Sequence, residues 1–258
     1  MGIRGYNDLR LRLGKMAVHS AKTIGSPKDT ARALITNVGW LHFFWSEYDK
    51  CLACMEEGLV AARADDDLLL VGMGLRLTAQ VSKERNNLAQ AKKLLQEALE
   101  IFKTAGDDYQ HLITLGTWGS LHRDLRDYNE AESSMREALR IATGLKNSEE
   151  LQSVLSQKLT KIMIELKRLP EAEVFNAQAE SILVQLRRQV GVAYCKLNRA
   201  RIVEARGNFE QALDYAKEAE TLFVQFGDRR EIAADLQRIQ EKAAKLKSTT
   251  TEGMVAAP

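Results

Sequence analysis

Three columns of small residues recur along this chain at one spacing, and few folds tolerate that pattern. The first column is Cys51, Ala91, Ala131, Ala172 and Ala212, with steps of 40, 40, 41 and 40 residues. Seven residues further on stand Gly58, Ala98, Ala138, Ala179 and Ala219. Twelve residues before the first column stand Gly39, Ala79, Gly119, Thr160 and Ala200. Self-similarity at a period of roughly 20–50 residues is the mark of a stacked array.

The residues between the columns read as helix. Leu88, Ala91, Leu95, Ala98 and Leu99 recur at helical spacing, as do Tyr128, Ala131, Met135, Ala138 and Leu139. The chain has only 3 prolines, so little interrupts a helix. Each unit therefore reads as two helices, A then B. Small residues mark the places where the two axes cross closest, because a larger side chain would push them apart. Polar breaks separate the units at Ala64–Asp67, Ala105–Asp108 and Gly144–Glu149. Aspartates there suit the N-cap of the next A helix.

These residues resemble the tetratricopeptide repeat family. Its hallmarks are a small residue within helix A, an aromatic opening helix B and two alanines along helix B. Tyr48, Tyr128 and Phe209 supply the aromatic, and Leu88 and Leu169 replace it. Trp118 fits a large apolar position of helix A. The fourth unit departs most, with Thr160 in the small column and Pro170 opening its B helix. The resemblance spans about Lys28 to Asp228. The period exceeds the family's usual ~34 residues. Long units of this kind are similar to those in the C-terminal arms of bacterial signal-transduction ATPases and maltose-type transcription activators, and to kinesin-light-chain and polarity-scaffold repeats.

The resemblance implies an all-α fold, a right-handed superhelical α-solenoid of antiparallel helix pairs with about twelve helices. A single solenoid over 1–247 would hold repeats at 28–66, 67–107, 108–147, 148–187 and 188–228. Residues 7–23, with Leu9, Leu13, Met16, Ala17 and Ala21, read as a half repeat or N-terminal cap. Residues 229–247 read as a capping helix with Ile232, Leu236, Ile239 and Ala243 inward, and 248–258 as a disordered tail.

In this family helix A lines the concave side. Carried over by position, the partner-binding groove would comprise Asn37, Trp40 and Phe44, then Arg76, Gln80 and Lys83, then Arg123, then Lys158 and Lys161, then Asn198 and Arg201. That wall is mildly basic with an aromatic end. It predicts a non-catalytic interaction module for a peptide or partner protein carrying acidic side chains and one apolar anchor. The positions that grip a C-terminal carboxylate in the best-known family site hold Thr36 and Trp40, and Arg76 and Gln80 of the second unit are a partial substitute only, which argues against that clamp. The half repeat supports a second reading, a regulatory arm of a larger signalling ATPase or transcription regulator.

Composition narrows the rest. A net charge of +2 gives no concentrated positive surface for nucleic acid. No run approaches the ~18 apolar residues of a membrane span, and Met1 to Arg12 lacks a leader's apolar core, so the expected location is cytoplasmic. Cys51 and Cys54 have CxxC spacing, but one such pair lacks about two further ligands for zinc. They read as small core residues. His42 and His122 fall at the same repeat position, which predicts a structural slot. Gly14-Lys15 lacks the preceding glycine of a phosphate loop, and Met16 stands where it needs Ser or Thr. Gly72 and Gly74 cost a helix roughly 2 kcal/mol relative to alanine, which predicts a bend or a close helix crossing. No nucleophile, acid–base pair or metal set emerges, so neither enzyme chemistry nor a cofactor is expected.

Overall fold

The computed structural model describes residues 3–226, 232–242 and 244. The tail at 248–258, Ala243 and most of the flanks of the terminal helix lie outside the described residues. The first helix is α1 (Ile3–Thr23). Next come α2 (Pro27–Arg32), a π-helical segment (Ala33–Gly39) and α3 (Trp40–Phe44), which run on as one rod. Then follow α4 (Tyr48–Ala64), α5 (Leu68–Glu84), α6 (Leu88–Ala105), α7 (Asp108–Asp124) and α8 (Tyr128–Gly144). The chain continues with α9 (Glu149–Glu165), α10 (Leu169–Gln185), α11 (Gln189–Ala205) and α12 (Phe209–Phe226). Residues 232–242 are again helical. No strand occurs among the described residues. The helices pack as consecutive pairs in a solenoid, and the contacts divide into two compact units, Met1–Ile141 and Ala142–Pro258.

Every described turn between full-length helices uses one device. A single residue adopts the left-handed conformation at Gly25, Ser46, Asp66, Asn86, Gly106, Arg126, Asn147, Lys167, Arg187 and Gly207. These positions lie 20 or 21 residues apart, so A and B helices have equal length. The backbone bonds are those of a Schellman ending: Asp67 N–H donates to the Ala62 carbonyl and Asp66 N–H to the Arg63 carbonyl. The next residue is the N-cap of the following helix. Asp67 accepts from the Leu70 N–H at 3.0 Å and Asp107 from the Gln110 N–H at 2.9 Å. Asn87, Asp127 and Asn208 do the same for their helices.

The two 21-residue steps are absorbed differently. Asp67 and Asp107 precede Ala79 and Gly119 by twelve residues, whereas Ser26 precedes Gly39 by thirteen. The extra residue is taken up inside the rod as the wide turns of Ala33–Gly39. The other extra residue lies in the turn between α8 and α9.

In the first unit Ile35, Cys51, Met55, Leu75, Ala98 and Phe102 pack in one cluster. Gly72 and Gly74 sit at close crossings rather than at a bend. A Cβ on Gly72 would stand 2.7 Å from the Phe102 ring, and one on Gly74 2.8 Å from Leu59. In the second unit Leu197, Ala212, Ala219, Phe223, Ile232 and Ile239 share a cluster. The columns Cys51–Ala212 and Ala98–Ala219 are fully buried, which is why only small side chains fit there.

Candidate functional site

The residues singled out by sequence lie on the A helices of each unit, whose outward side is the A-helix face. In the first unit this face exposes an aromatic pair, Trp40 and Phe44. The Trp40 and Phe44 rings stack at 5.5 Å with 14° between planes. They are 41% and 54% exposed, and the Arg10 guanidinium lies 5.4 Å from the centre of the Trp40 ring. The equivalents of Trp40 in later A helices are Gln80, Ser120, Lys161 and Arg201, and those of Phe44 are Glu84, Asp124, Glu165 and Ala205. The aromatic pair thus stands where the other repeats have mainly polar residues. Asn37 is half-buried beside it.

The three cations that sequence placed in the groove of this unit, Arg76, Lys83 and Arg123, are engaged within the chain. Arg76 donates to the Gln110 carbonyl at 3.3 Å and to Thr114 Oγ1 at 3.2 Å, and it lies over the Phe102 ring. Burial pulls its pKa down to about 10. Lys83 pairs with Asp124 at 3.1 Å and Glu84 at 3.2 Å, and Arg123 pairs with Asp124 at 2.9 Å. Burial opposes ionisation of Asp124, but bonds from Arg123 and Lys83 and their charges hold its pKa below the usual carboxylate value. Gln80 is half-buried. The surface offers an aromatic pair more than open positive charge.

In the second unit Lys158 and Lys161 are half-buried on α9. Asn198 is only 1% exposed and accepts a bond from Arg201 at 3.4 Å, so it works inside the wall rather than at its surface. Arg201 pairs with Asp235 at 2.6 Å. Arg238 bonds Glu204 at 2.8 Å and also Asp235, and Lys242 reaches Glu204 at 2.8 Å. Burial would raise the pKa of Asp235, yet Arg201 and Arg238 lower it on balance. Near the other end of α9, a cavity of about 530 Å³ is bounded by Val154, Gln157, Leu183, Val190 and Tyr194, with Arg187 at its edge. Gln157 donates across it to the Gly191 carbonyl at 3.0 Å. Sequence reasoning missed these links between neighbouring A helices. Their signal was available, since partners such as Arg201 and Asp235, or Lys83 and Asp124, lie 34 to 41 residues apart.

The repeated histidines tie turns. His42 Nδ1 donates to Glu47 at 2.5 Å and His122 Nδ1 to Asp127 at 3.0 Å, each reaching the residue before the next B helix. Both rings are buried. Cys51 is fully buried, and desolvation pushes its thiol up to about 12, far from thiolate chemistry. Cys195 is raised to about 11 for the same reason. Among the described residues no group of three or more His, Cys, Asp or Glu gathers as metal ligands, and no helix is long and apolar enough to cross a membrane.

Comparison with known proteins places this geometry. No curated protein matches the chain. The chain is similar in fold to the crystal structure of BtubC (BKLC) from P. vanneervenii, with a TM-score of 0.71 and 16% identity over 86% of this chain and 93% of that one. It is also similar to a Rap protein complexed with Competence and Sporulation Factor, with a TM-score of 0.70 and 16% identity over 94% and 72%. Aspartyl phosphate phosphatase F from Bacillus subtilis gives a TM-score of 0.67 and 10% identity over 92% and 67%. At such identities the likeness concerns the fold alone. Residues 75–144 match the tetratricopeptide repeat family model. That match falls on α5 to α8, and the helices on either side of it pair in the same way, so the fold is a tetratricopeptide-like solenoid of helix pairs.

Proposed function

We propose that the chain is a non-catalytic interaction module that takes a peptide or partner protein on the A-helix face of its first unit. The observation that carries this reading is the exposed Trp40–Phe44 stack at positions that are mainly polar in the later repeats. Exposed aromatics offer large contact area at small entropic cost, which is why they anchor interfaces. The ligand this surface suits has one apolar anchor for the two rings and an acidic side chain beside it for Arg10. The Rap complex with Competence and Sporulation Factor gives precedent for ligand capture on this fold.

A displayed peptide library panned on the intact chain tests the reading. Enriched peptides should share a Leu, Phe or Trp beside Asp or Glu. They should bind a Trp40→Ala, Phe44→Ala variant at least ~10-fold more weakly, as expected for loss of an aromatic hot spot. Equal binding to a variant of unchanged melting temperature would overturn the assignment.

A further inference from the structure

The first helix has a face of small residues, which the fold buries, and an apolar face, which it leaves open. Asn7, Gly14 and Ala21 recur every seven residues and form the face toward the rod at 27–44. Asn7 is 7% and Ala21 4% exposed, and a Cβ on Gly14 would stand 2.9 Å from Val38 Cγ2. On the far side of α1, Leu9, Leu13 and Met16 follow in steps of four and three, the spacing of a helix–helix seam. They are 45%, 55% and 64% exposed, and Ala17 beside them is exposed as well. The helical stretch 232–242 treats its outer side differently. It buries Ile232, Leu236 and Ile239 and exposes Ala233, Gln237, Gln240 and Glu241.

Charge selects the occupant. Arg10, Arg12, Lys15 and His19 flank the seam, and Asp8 is the one acid in α1. A second copy of this helix would bring those bases against themselves, which disfavours self-pairing. We infer that the outer face of α1 docks an amphipathic α-helix of a partner protein, with an apolar seam of its own and acidic residues flanking it. The seam supplies contact area, and the bases set the choice and orientation of the partner. This surface is separate from the Trp40–Phe44 site. Arg10, which stacks on Trp40, marks the border between them.

Two synthetic helices of about 21 residues, enough to span α1, decide the matter. Both carry Leu at every seam position. One carries Glu at the flanking positions and the other Lys. Fluorescence anisotropy with the full chain should show the Glu peptide binding at least tenfold more tightly than the Lys peptide, with the gap narrowing as salt is raised. A Leu13→Glu, Met16→Glu variant should lose at least tenfold for the Glu peptide. Both side chains are exposed, so its melting curve should match that of the parent. A Phe44→Ala variant should bind this peptide normally, which separates this result from the fate of the aromatic site. Equal binding of the two peptides, or undiminished binding by the variant, overturns the inference. So does a concentration-dependent dimer that the same two substitutions dissolve, since the seam then belongs to a second copy.

Discussion

The first A helix and the fifth occupy the same place in the repeat and meet solvent in opposite ways. Beneath both, small residues meet a B helix: Gly39 and Ala200 are buried at the crossing. Above them the chemistry diverges. The rod at 27–44 exposes Trp40 and Phe44, which stack on each other. On α11 the matching Arg201 is drawn into an ion-pair cluster with Asp235, and Glu204 is held by Arg238 and Lys242. The repeat dictates what lies under a helix because axial spacing depends on it. It leaves the outer side free, and there one end exposes an aromatic pair while the other is sealed by ion pairs.

The comparison breaks if Trp40 proves structural. Phe102 and Trp40 are both aromatic residues of the first unit, but Phe102 is fully buried. Phe102→Ala should lower the unfolding free energy by about 3–5 kcal/mol through lost burial and a cavity, and it also removes the ring beneath Arg76. Trp40→Ala should change it by about 1 kcal/mol or less, since much of its surface already faces water. Urea titrations of both variants check this. A Trp40 loss approaching that of Phe102 would make the exposed pair part of the core.

The sealed end is tested at Asp235. Asp235→Asn keeps the shape and removes the charge that Arg201 and Arg238 share. We expect a loss of about 2–3 kcal/mol, below the usual figure for a broken buried pair because Arg238 is half in water. The folded pKa of Asp235 is depressed. Its contribution is therefore present above the unfolded carboxylate value of about 3.9 and fades as pH falls through the lower folded value. The difference between parent and variant should shrink on acidification across that window. A gap that stays constant down to the folded value would show that the charge is not what seals this end.

A smaller effect separates the histidine turns from the rest of the repeat. His122→Ala removes the bond to Asp127 and a ring contact with Trp118 at 4.6 Å. The expected loss is about 1–2 kcal/mol, read from thermal melts. The matching slot holds Ser82, Met163 and Val203 in other repeats, all buried. His122→Met should therefore recover part of the loss by packing alone.

Much of the architecture was legible because it rests on size. Cys51, Ala91, Ala131, Ala172 and Ala212 announce helix crossings through the one property that a crossing constrains. Trp40 and Phe44 were named by their place in the repeat, and comparison with Gln80, Ser120, Lys161 and Arg201 is what sets them apart. Arg76 was misjudged as an open cation because residue type does not reveal a neighbour such as Gln110 or Thr114 one repeat away. Asn198 was placed at the surface by register, yet it lies in the wall. The π-helical turns were legible only as a count, thirteen residues instead of twelve between Ser26 and Gly39, and the spacing of the caps had to be known first.

The subtlest contrast lies in the turns themselves. Gly207 adopts φ +83 without strain, whereas Arg126, Lys167 and Arg187 hold left-handed conformations with a Cβ in place. That crowding costs about 1–2 kcal/mol for an ordinary L-residue, partly offset in any glycine replacement by the extra entropy glycine loses on folding. Arg126→Gly should therefore stabilise the chain by about 0.5–1 kcal/mol. Asn86→Gly, at the same conformation one pair earlier, should give almost nothing, because asparagine enters this region readily. Paired melts of the two variants read the difference directly. Equal gains would mean that arginine and asparagine are strained alike in this turn, and no gain from Arg126→Gly would mean that the strain is negligible.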